Sequence, residues 1–147
     1  MTKKHIMYID YEPMQRMMYG IALQHKFGDS IDITLEPSAE TALARIHKEP
    51  GKYSAILSDY RMPGLDGLTF LTILNSLLRE SRSEEQVYRL LTTDYPDPKL
   101  PNLALELGAD FLHRPFKVAD FASQAYERYE RFHAARSNTE LKSYDLQ

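Results

Sequence analysis

The sequence predicts an α/β domain in which helices cover both faces of a five-stranded parallel sheet, a three-layer sandwich. Two observations lead to this prediction. Short apolar runs alternate along the chain with longer segments of helical spacing, which is typical of βαβ units. The chain has 147 residues, of which 43% are hydrophobic and 27% charged, a size and balance typical of one globular domain.

Five short apolar runs predict the strands, and each of them stops at a polar residue or a turn. The second run alternates apolar and polar residues as an edge strand does, whereas the third is apolar enough to be buried on both faces. Asp10 directly follows the first strand, and Asp59 follows the third. The predicted strands span residues 5–9, 31–35, 53–58, 87–91 and 111–113.

The segments between the strands carry apolar residues at helical spacing. Pro13 opens the first helix, whose stripe of methionines (Met14, Met17 and Met18) is predicted to be core, and Ser38 caps the second helix. The third helix follows at 68–80, and three prolines in 94–101 delay a short fourth helix until about Pro101. The last helix is predicted over 117–135. Residues 4–135 then form one domain, 136–147 a polar tail, and no output domain follows.

Charge and composition exclude several classes of function. The chain has 18 Lys and Arg against 21 Asp and Glu, a formal net charge of −3, so direct nucleic-acid binding is not expected. It has no cysteine, which excludes disulfides, cysteine metal sites and thiolate nucleophiles. No signal peptide or membrane span is evident, which predicts a cytoplasmic protein without membrane contact.

Polar residues that could carry chemistry follow four of the five strands. Asp10 and Glu12 come after the first strand, Asp59 after the third, Thr92 at the end of the fourth and Arg114 after the fifth. The carboxyl ends of parallel strands open into one crevice, so these side chains are expected to meet there. Because clustered carboxylates repel one another, the cluster predicts a bound cation, and oxygen ligands favour Mg²⁺.

The segment Asp59-Tyr60-Arg61-Met62-Pro63-Gly64-Leu65-Asp66-Gly67 resembles the phosphoacceptor loop of the receiver domains of two-component response regulators. The resemblance extends over residues 4–135 and implies the flavodoxin-like receiver fold with strand order 2-1-3-4-5. It implies that Asp59 is the phosphoacceptor, that the Thr92 hydroxyl binds the phosphoryl group and that Phe111 is the aromatic switch. It also implies that the backbone carbonyl of Arg61 is a ligand of Mg²⁺, together with Asp10, Asp59 and, in this chain, Glu12.

Three positions depart from the family pattern. Tyr11 stands where receivers carry a second metal-binding carboxylate, and the loss of this ligand should weaken Mg²⁺ binding. The Tyr11 side chain is either a surface aromatic or a lid over Asp59. Arg114 replaces the family lysine, and the resemblance implies a cis peptide bond before Pro115. The proline-rich segment 94–101 shortens the fourth helix, so an unusual output face is expected.

The resemblance favours a stand-alone response regulator receiver. In this interpretation Asp59 accepts a phosphoryl group from a phosphohistidine on a sensor histidine kinase or phosphotransfer protein, Arg114 and Thr92 hold it, and a downstream protein target reads the change without enzymatic turnover. Aromatic residues near the end of the last helix suggest a homodimer. Two alternatives stay open: a pseudo-receiver that binds partners without phosphorylation, and a phosphatase of the haloacid dehalogenase type built on Asp10 and Glu12.

Overall fold

The computed structural model describes residues 3–115 and 117–145, with side chains as far as residue 137. Its strands are β1 (Lys4–Ile9), β2 (Ile31–Glu36), β3 (Tyr53–Asp59), β4 (Tyr88–Thr93) and β5 (Asp110–His113). All pair in parallel, in the order β2-β1-β3-β4-β5. The predicted fold class and strand order are confirmed, and β2 is an edge strand as its alternation predicts.

Four helices lie between successive strands in chain order, and the fifth follows β5. They are α1 (Pro13–Phe27), α2 (Ala39–Lys48), α3 (Gly67–Glu80), α4 (Leu100–Glu106) and α5 (Val118–Asp145), with a single 3-10 turn at Glu84–Gln86. Ser38 caps α2 by accepting a hydrogen bond from the amide of Thr41, as predicted. Within the described residues, no helix combines the length and the apolar character that crossing a bilayer requires.

Two hydrophobic cores lie on opposite faces of the sheet. One is formed with α2 and α3 and includes Phe70 and Leu74; the other is formed with α1 and α5 and includes Leu23 and Phe121. Because successive strand residues face opposite sides, β1 and β3 supply both cores, which explains why their sequences are almost continuously apolar. The sheet is thereby held rigidly, with the carboxyl ends of its strands at one edge.

The prediction that the methionine stripe of α1 is core is wrong. Met14, Met17 and Met18 are 58%, 50% and 44% exposed, whereas the buried positions of the helix include Tyr19 and Leu23. Both stripes have helical spacing, so periodicity could not choose between them. The larger aromatic bodies of Tyr19 and Phe27 bury more apolar surface, and these residues take the inner face.

The last helix continues beyond residue 135, where the sequence prediction ends it. The predicted polar tail comprises residues 136–147. Residues 136–145 are helical, and 146–147 lie outside the described residues. They contain neither proline nor glycine, so nothing in the backbone stops the helix there.

The aromatic residues near the end of α5 pack within this chain. The Tyr129 ring lies 5.2 Å from that of Phe27, and Phe132 lies 5.4 Å from Tyr88. His133 forms a 2.9 Å hydrogen bond with the Ser54 carbonyl. These side chains already have partners within the chain, so they no longer support the predicted homodimer. Dimerisation itself stays a prediction.

Candidate functional site

Three of the predicted site residues meet in a buried cluster at the carboxyl ends of the strands. Asp10 follows β1, Asp59 ends β3, and Arg114 follows β5. Arg114 Nη2 lies 3.2 Å from Asp10 Oδ2 and 3.6 Å from Asp59 Oδ1. The side chain of Arg114 is 2% exposed, that of Asp10 0% and that of Asp59 7%. The predicted convergence of these groups is therefore confirmed.

Arg114 is held from several sides. Its Nη1 donates to Gln15 Oε1 at 3.1 Å, and its Nη2 lies 2.9 Å from the Tyr8 hydroxyl. The guanidinium carbon lies 4.8 Å from the centre of the Tyr19 ring, within the range of a cation–π contact. Arg114 Nε is buried and has no hydrogen-bond partner among the described residues. A planar, multiply bonded guanidinium suits this position better than a single ammonium would.

The charges around Arg114 keep it protonated. Burial lowers its pKa, but Tyr8, Asp59 and Asp10 raise it, and the net shift is upward. The pKa of Tyr8 is raised well above its usual range, mainly by burial, so that its hydroxyl stays neutral. The pocket thus contains a permanent cation between two acidic side chains and beside a neutral phenol.

Asp10 is fully buried and hydrogen-bonded at both carboxylate oxygens. Oδ2 accepts from the Tyr8 hydroxyl at 2.8 Å and from Arg114, and Oδ1 accepts from the Glu12 amide at 3.0 Å. Tyr8 and Asp10 are two residues apart, on the same side of an extended chain. These bonds supply the polar partners that a buried carboxylate requires.

Asp59 is the acidic group that the surroundings perturb most clearly. Burial raises its pKa to about 6, Asp10 and Asp94 add to the rise, and Arg114 and the backbone of Arg61 oppose it. The carboxylate is therefore anionic at neutral pH but is held at an energetic cost. Such a group is a candidate for chemistry, because strongly perturbed pKa values cluster at functional sites.

Thr92 and Phe111 lie on the strands that continue the sheet beyond Asp59. Thr92 pairs with Asp59 in the β3–β4 register, is fully buried and donates its hydroxyl to the Leu112 carbonyl at 2.9 Å. Phe111 pairs with Leu91 and packs, partly buried, on the α2–α3 core. The fold therefore places Thr92, whose hydroxyl is predicted to bind the phosphoryl group, on β4 beside Asp59. The predicted switch, Phe111, lies on β5, the strand after β4.

Of the other predicted metal ligands, Glu12 is engaged elsewhere, and the Arg61 carbonyl stays a prediction. The Glu12 carboxylate caps α1 by accepting from the amides of Met14 at 3.2 Å and Gln15 at 2.7 Å. Tyr11 contributes no carboxylate and is 47% exposed on a cavity of about 340 Å³ that also borders Met62. Among the side chains of residues 3–115 and 117–137, no three of His, Asp or Glu form a group that could hold a metal.

The donor set as folded therefore does not fit the predicted Mg²⁺. An octahedral Mg²⁺ requires several oxygen ligands at close range. Here the two converging carboxylates already face a guanidinium, and the third candidate, Glu12, serves as a helix cap.

The backbone at Arg114 also differs from the expectation. No cis peptide bond occurs among the described residues, so the bond between Arg114 and Pro115 is trans and the predicted cis bond is wrong. The trans form is the ordinary preference even before proline, by about 0.5–1 kcal/mol. In the trans form the Arg114 side chain reaches Asp10 and Asp59.

Sequence reasoning missed four residues that complete the site. Three of them contact Arg114: Tyr8, Gln15 and Tyr19. Tyr8 could have been found from its position two residues before Asp10, and the other two from their spacing of four on α1. The fourth is Tyr95, whose ring centre lies 3.4 Å from the guanidinium carbon of Arg61 and joins the two loops that flank Asp59.

The geometry also bears on the phosphatase alternative, which requires an accessible nucleophile at Asp10 and an acid at Glu12. Asp10 has no exposed surface, and both of its oxygens are hydrogen-bonded. Glu12 points into the first turn of α1. The two carboxylates therefore do not face a common substrate position.

Two curated proteins resemble the chain in sequence. The transcriptional regulatory protein FixJ of Bradyrhizobium diazoefficiens is 33% identical over 120 residues, which cover 79% of this chain and 52% of FixJ. The cyclic di-GMP phosphodiesterase response regulator RpfG of Xanthomonas campestris is 39% identical over 77 residues, which cover 52% of this chain and 19% of RpfG. The chain thus spans about half of the first relative and a smaller part of the second. No protein-family model matches the chain.

Solved structures agree with the sheet topology. A CheY-like receiver domain from Methanospirillum hungatei superposes with a TM-score of 0.73 at 18% identity, covering 90% of this chain and 98% of that one. The receiver domain of the putative response regulator NarL from Mycobacterium tuberculosis gives a TM-score of 0.66 at 22% identity, covering 88% and 98%. Together with the strand order and the sequence match to FixJ, these findings show that the chain belongs to the receiver domains of response regulators.

Proposed function

We propose that this receiver is a phosphorylation-controlled switch in a two-component phosphorelay, with Asp59 as the phosphoacceptor. The observation that carries the proposal is the placement of the Asp59 carboxylate, buried at the end of β3 and 3.6 Å from a permanent guanidinium. Its pKa of about 6 leaves it anionic and nucleophilic at neutral pH. Phosphoryl transfer depends mainly on positioning and charge neutralisation, which this site supplies.

In the proposed step, an Asp59 carboxylate oxygen attacks the phosphorus of a phosphohistidine. The new O–P bond forms as the P–N bond breaks, and the leaving imidazole nitrogen takes up a proton. Arg114 then faces the added negative charge. It is suited to this role because guanidinium N–H groups bond phosphate oxygens in pairs.

Thr92 and Phe111 would couple the step to the surface. The Thr92 hydroxyl now donates to the Leu112 carbonyl and would turn to the phosphoryl oxygens instead. This exchange leaves a buried carbonyl on β5 without its donor, which favours a shift of that strand and of the adjacent Phe111. The shift is what a downstream protein target would read.

The proposal includes the partners and the setting. The donor would be a sensor histidine kinase or phosphotransfer protein, in the cytoplasm and without direct contact with nucleic acid or membrane. Transfer stops at the acyl phosphate on Asp59, so the protein is not a turnover enzyme. RpfG is named for a phosphodiesterase activity, but the chain matches only 19% of its length, and we do not assign that activity here.

Intact-mass spectrometry after incubation with acetyl phosphate, and separately with a phosphorylated histidine kinase, tests the proposal. We expect a mass increase of one phosphoryl group on the wild type and none on Asp59→Asn. Asp66→Asn is the matched control, because Asp66 lies in the same loop and caps α3 through its side chain, a role that asparagine fulfils equally well.

The outcome separates the two remaining functions. An adduct on the wild type and on Asp66→Asn alone supports the switch. The absence of an adduct with both donors would contradict it and would favour the phosphorylation-independent binding module, for which the preformed Asp10–Arg114–Asp59 cluster would be a structural element.

A further inference from the structure

We propose that the guanidinium of Arg114 takes the place of a divalent cation in this pocket, so that the folded chain does not bind Mg²⁺ there. This inference rests on the proposed function, because it identifies the group that would neutralise the charge on Asp59 during phosphorylation. Its own test is a binding measurement that does not require phosphorylation to occur.

The first argument is the position of the charge. Arg114 Nη2 lies within 3.6 Å of one oxygen of each carboxylate, Asp10 and Asp59, and bridges them. A cation that neutralises two carboxylates must occupy the space between them. That space contains the Arg114 guanidinium, which carries a permanent positive charge.

The second argument is the charge balance of the buried cluster. Two carboxylates and one guanidinium leave a net charge of −1, which is the state of the pocket without any ion. A Mg²⁺ beside the same carboxylates would meet the guanidinium at short range, with little water to screen the repulsion. The ion and the bridging arginine therefore exclude each other.

The third argument is that Arg114 cannot readily leave. Gln15 Oε1 accepts from one terminal nitrogen, the Tyr8 hydroxyl contacts the other, and the Tyr19 ring covers one face. None of these three residues carries a charge at neutral pH, so all three favour the arginine without drawing in a second cation. The Glu12 carboxylate, which could have added a metal ligand, is bonded to the backbone of α1.

The test is isothermal titration calorimetry of Mg²⁺, and separately of Mn²⁺, into the chelator-treated full chain. For the wild type we expect no saturable binding. Arg114→Gln removes the charge but keeps a polar side chain, and we expect saturable binding of both ions to this variant, because a cation at close range is gone. A folded Arg114→Gln that binds neither ion would contradict the inference. Adding Asp10→Asn to this variant should abolish the binding.

Arg128→Gln is the matched control. Arg128 also pairs with a carboxylate, at 3.0 Å from Asp110, but outside the cluster, so its loss should leave metal binding unchanged. Circular dichroism checks that each variant is folded. Saturable binding to the wild type would overturn the inference even if Arg114→Gln fails to fold.

Saturable binding of Mg²⁺ to the wild type that Asp10→Asn or Asp59→Asn abolishes would overturn the inference. So would an Asp59 phosphoryl adduct that forms with Mg²⁺ and disappears in chelator. Failure of the proposed function has a different signature, namely no adduct under any condition together with no metal binding. An adduct formed equally in chelator supports both proposals.

Discussion

Replacement of Asp59 by asparagine should stabilise this protein at neutral pH, although it removes one partner of Arg114. The physical reason is that the folded state holds the ionised carboxylate at a cost. Burial, reinforced by Asp10 and Asp94, raises the pKa of Asp59 from 3.8 to about 6, even with the opposing effects of Arg114 and the Arg61 backbone. Asparagine has nearly the same shape as a protonated aspartic acid and carries no charge.

The size and sign of the effect follow from linkage between protonation and folding. Because the folded-state pKa is raised, the stability that the protonated carboxyl contributes is fully present below pH 3.8 and is lost as the pH rises through about 6. Two pKa units at 1.36 kcal/mol each give a cost of about 3 kcal/mol at pH 7.5. At pH 5 the same relation gives about half of that.

Urea denaturation followed by circular dichroism, in chelator at pH 7.5 and pH 5, measures the difference. We expect Asp59→Asn to raise the free energy of unfolding by about 1–3 kcal/mol at pH 7.5 and by less at pH 5. At about 2–4 °C per kcal/mol, the melting temperature should rise by several degrees. Asp66→Asn, at an exposed helix cap, should show neither effect.

A loss of stability in Asp59→Asn at pH 7.5 would refute the reasoning, since it would mean that the Arg114–Asp59 contact outweighs the cost of burial. A gain of equal size at both pH values would also refute it, because ionisation of Asp59 would then not be its cause.

Three further experiments test other parts of the structure. Tyr8→Phe should lower the free energy of unfolding by about 1–3 kcal/mol in urea titrations, because it removes the hydroxyl that bonds Asp10 and Arg114; a neutral result would show that these buried groups do not depend on the hydroxyl. Gly67→Ala should cost about 1–3 kcal/mol by thermal denaturation, since its Cβ would lie 2.8 Å from the Asp59 carbonyl oxygen, whereas Gly51→Ala, which meets nothing within 4 Å, serves as control. Met17 is half exposed, so Met17→Gln should change the free energy of unfolding by less than about 0.5 kcal/mol. Leu23 is fully buried, so Leu23→Ala should lower it by about 2–5 kcal/mol. Equal losses for the two variants would mean that the methionine face of α1 is buried in the core.

Much of the fold could be predicted because its local signals agree with one another. The apolar run of β3 needs two covered faces, the alternation of β2 suits an edge, and the prolines of 94–101 delay α4 to Leu100. Each of these features is set by residues that are adjacent in the sequence, so it can be predicted without knowledge of the tertiary contacts. The position of Asp10 and Asp59 at one edge of the sheet follows from the same parallel arrangement.

The errors arose where two local solutions were equally good. On α1, the methionine stripe and the stripe through Tyr19 and Leu23 both have helical spacing, and only contact with the sheet and α5 distinguishes them. Glu12 is a predicted metal ligand because it lies two residues after Asp10 at the end of the first strand. A residue that precedes a helix can, however, also cap that helix. The amides of Met14 and Gln15, which no sequence pattern weighs against a metal ion, decided between the two.

By itself the sequence determined the order of strands and helices, the convergence of acidic residues at the strand ends, and the likeness of the Asp59 loop to receivers. Spacing along a chain suffices for these, because strand and helix periods are local properties. Only the tertiary structure decided that Arg114 bridges Asp10 and Asp59, with Tyr8, Gln15 and Tyr19 around it. That arrangement joins residues as many as 106 positions apart, and the burial that makes its charges matter exists only once the sheet and helices have packed.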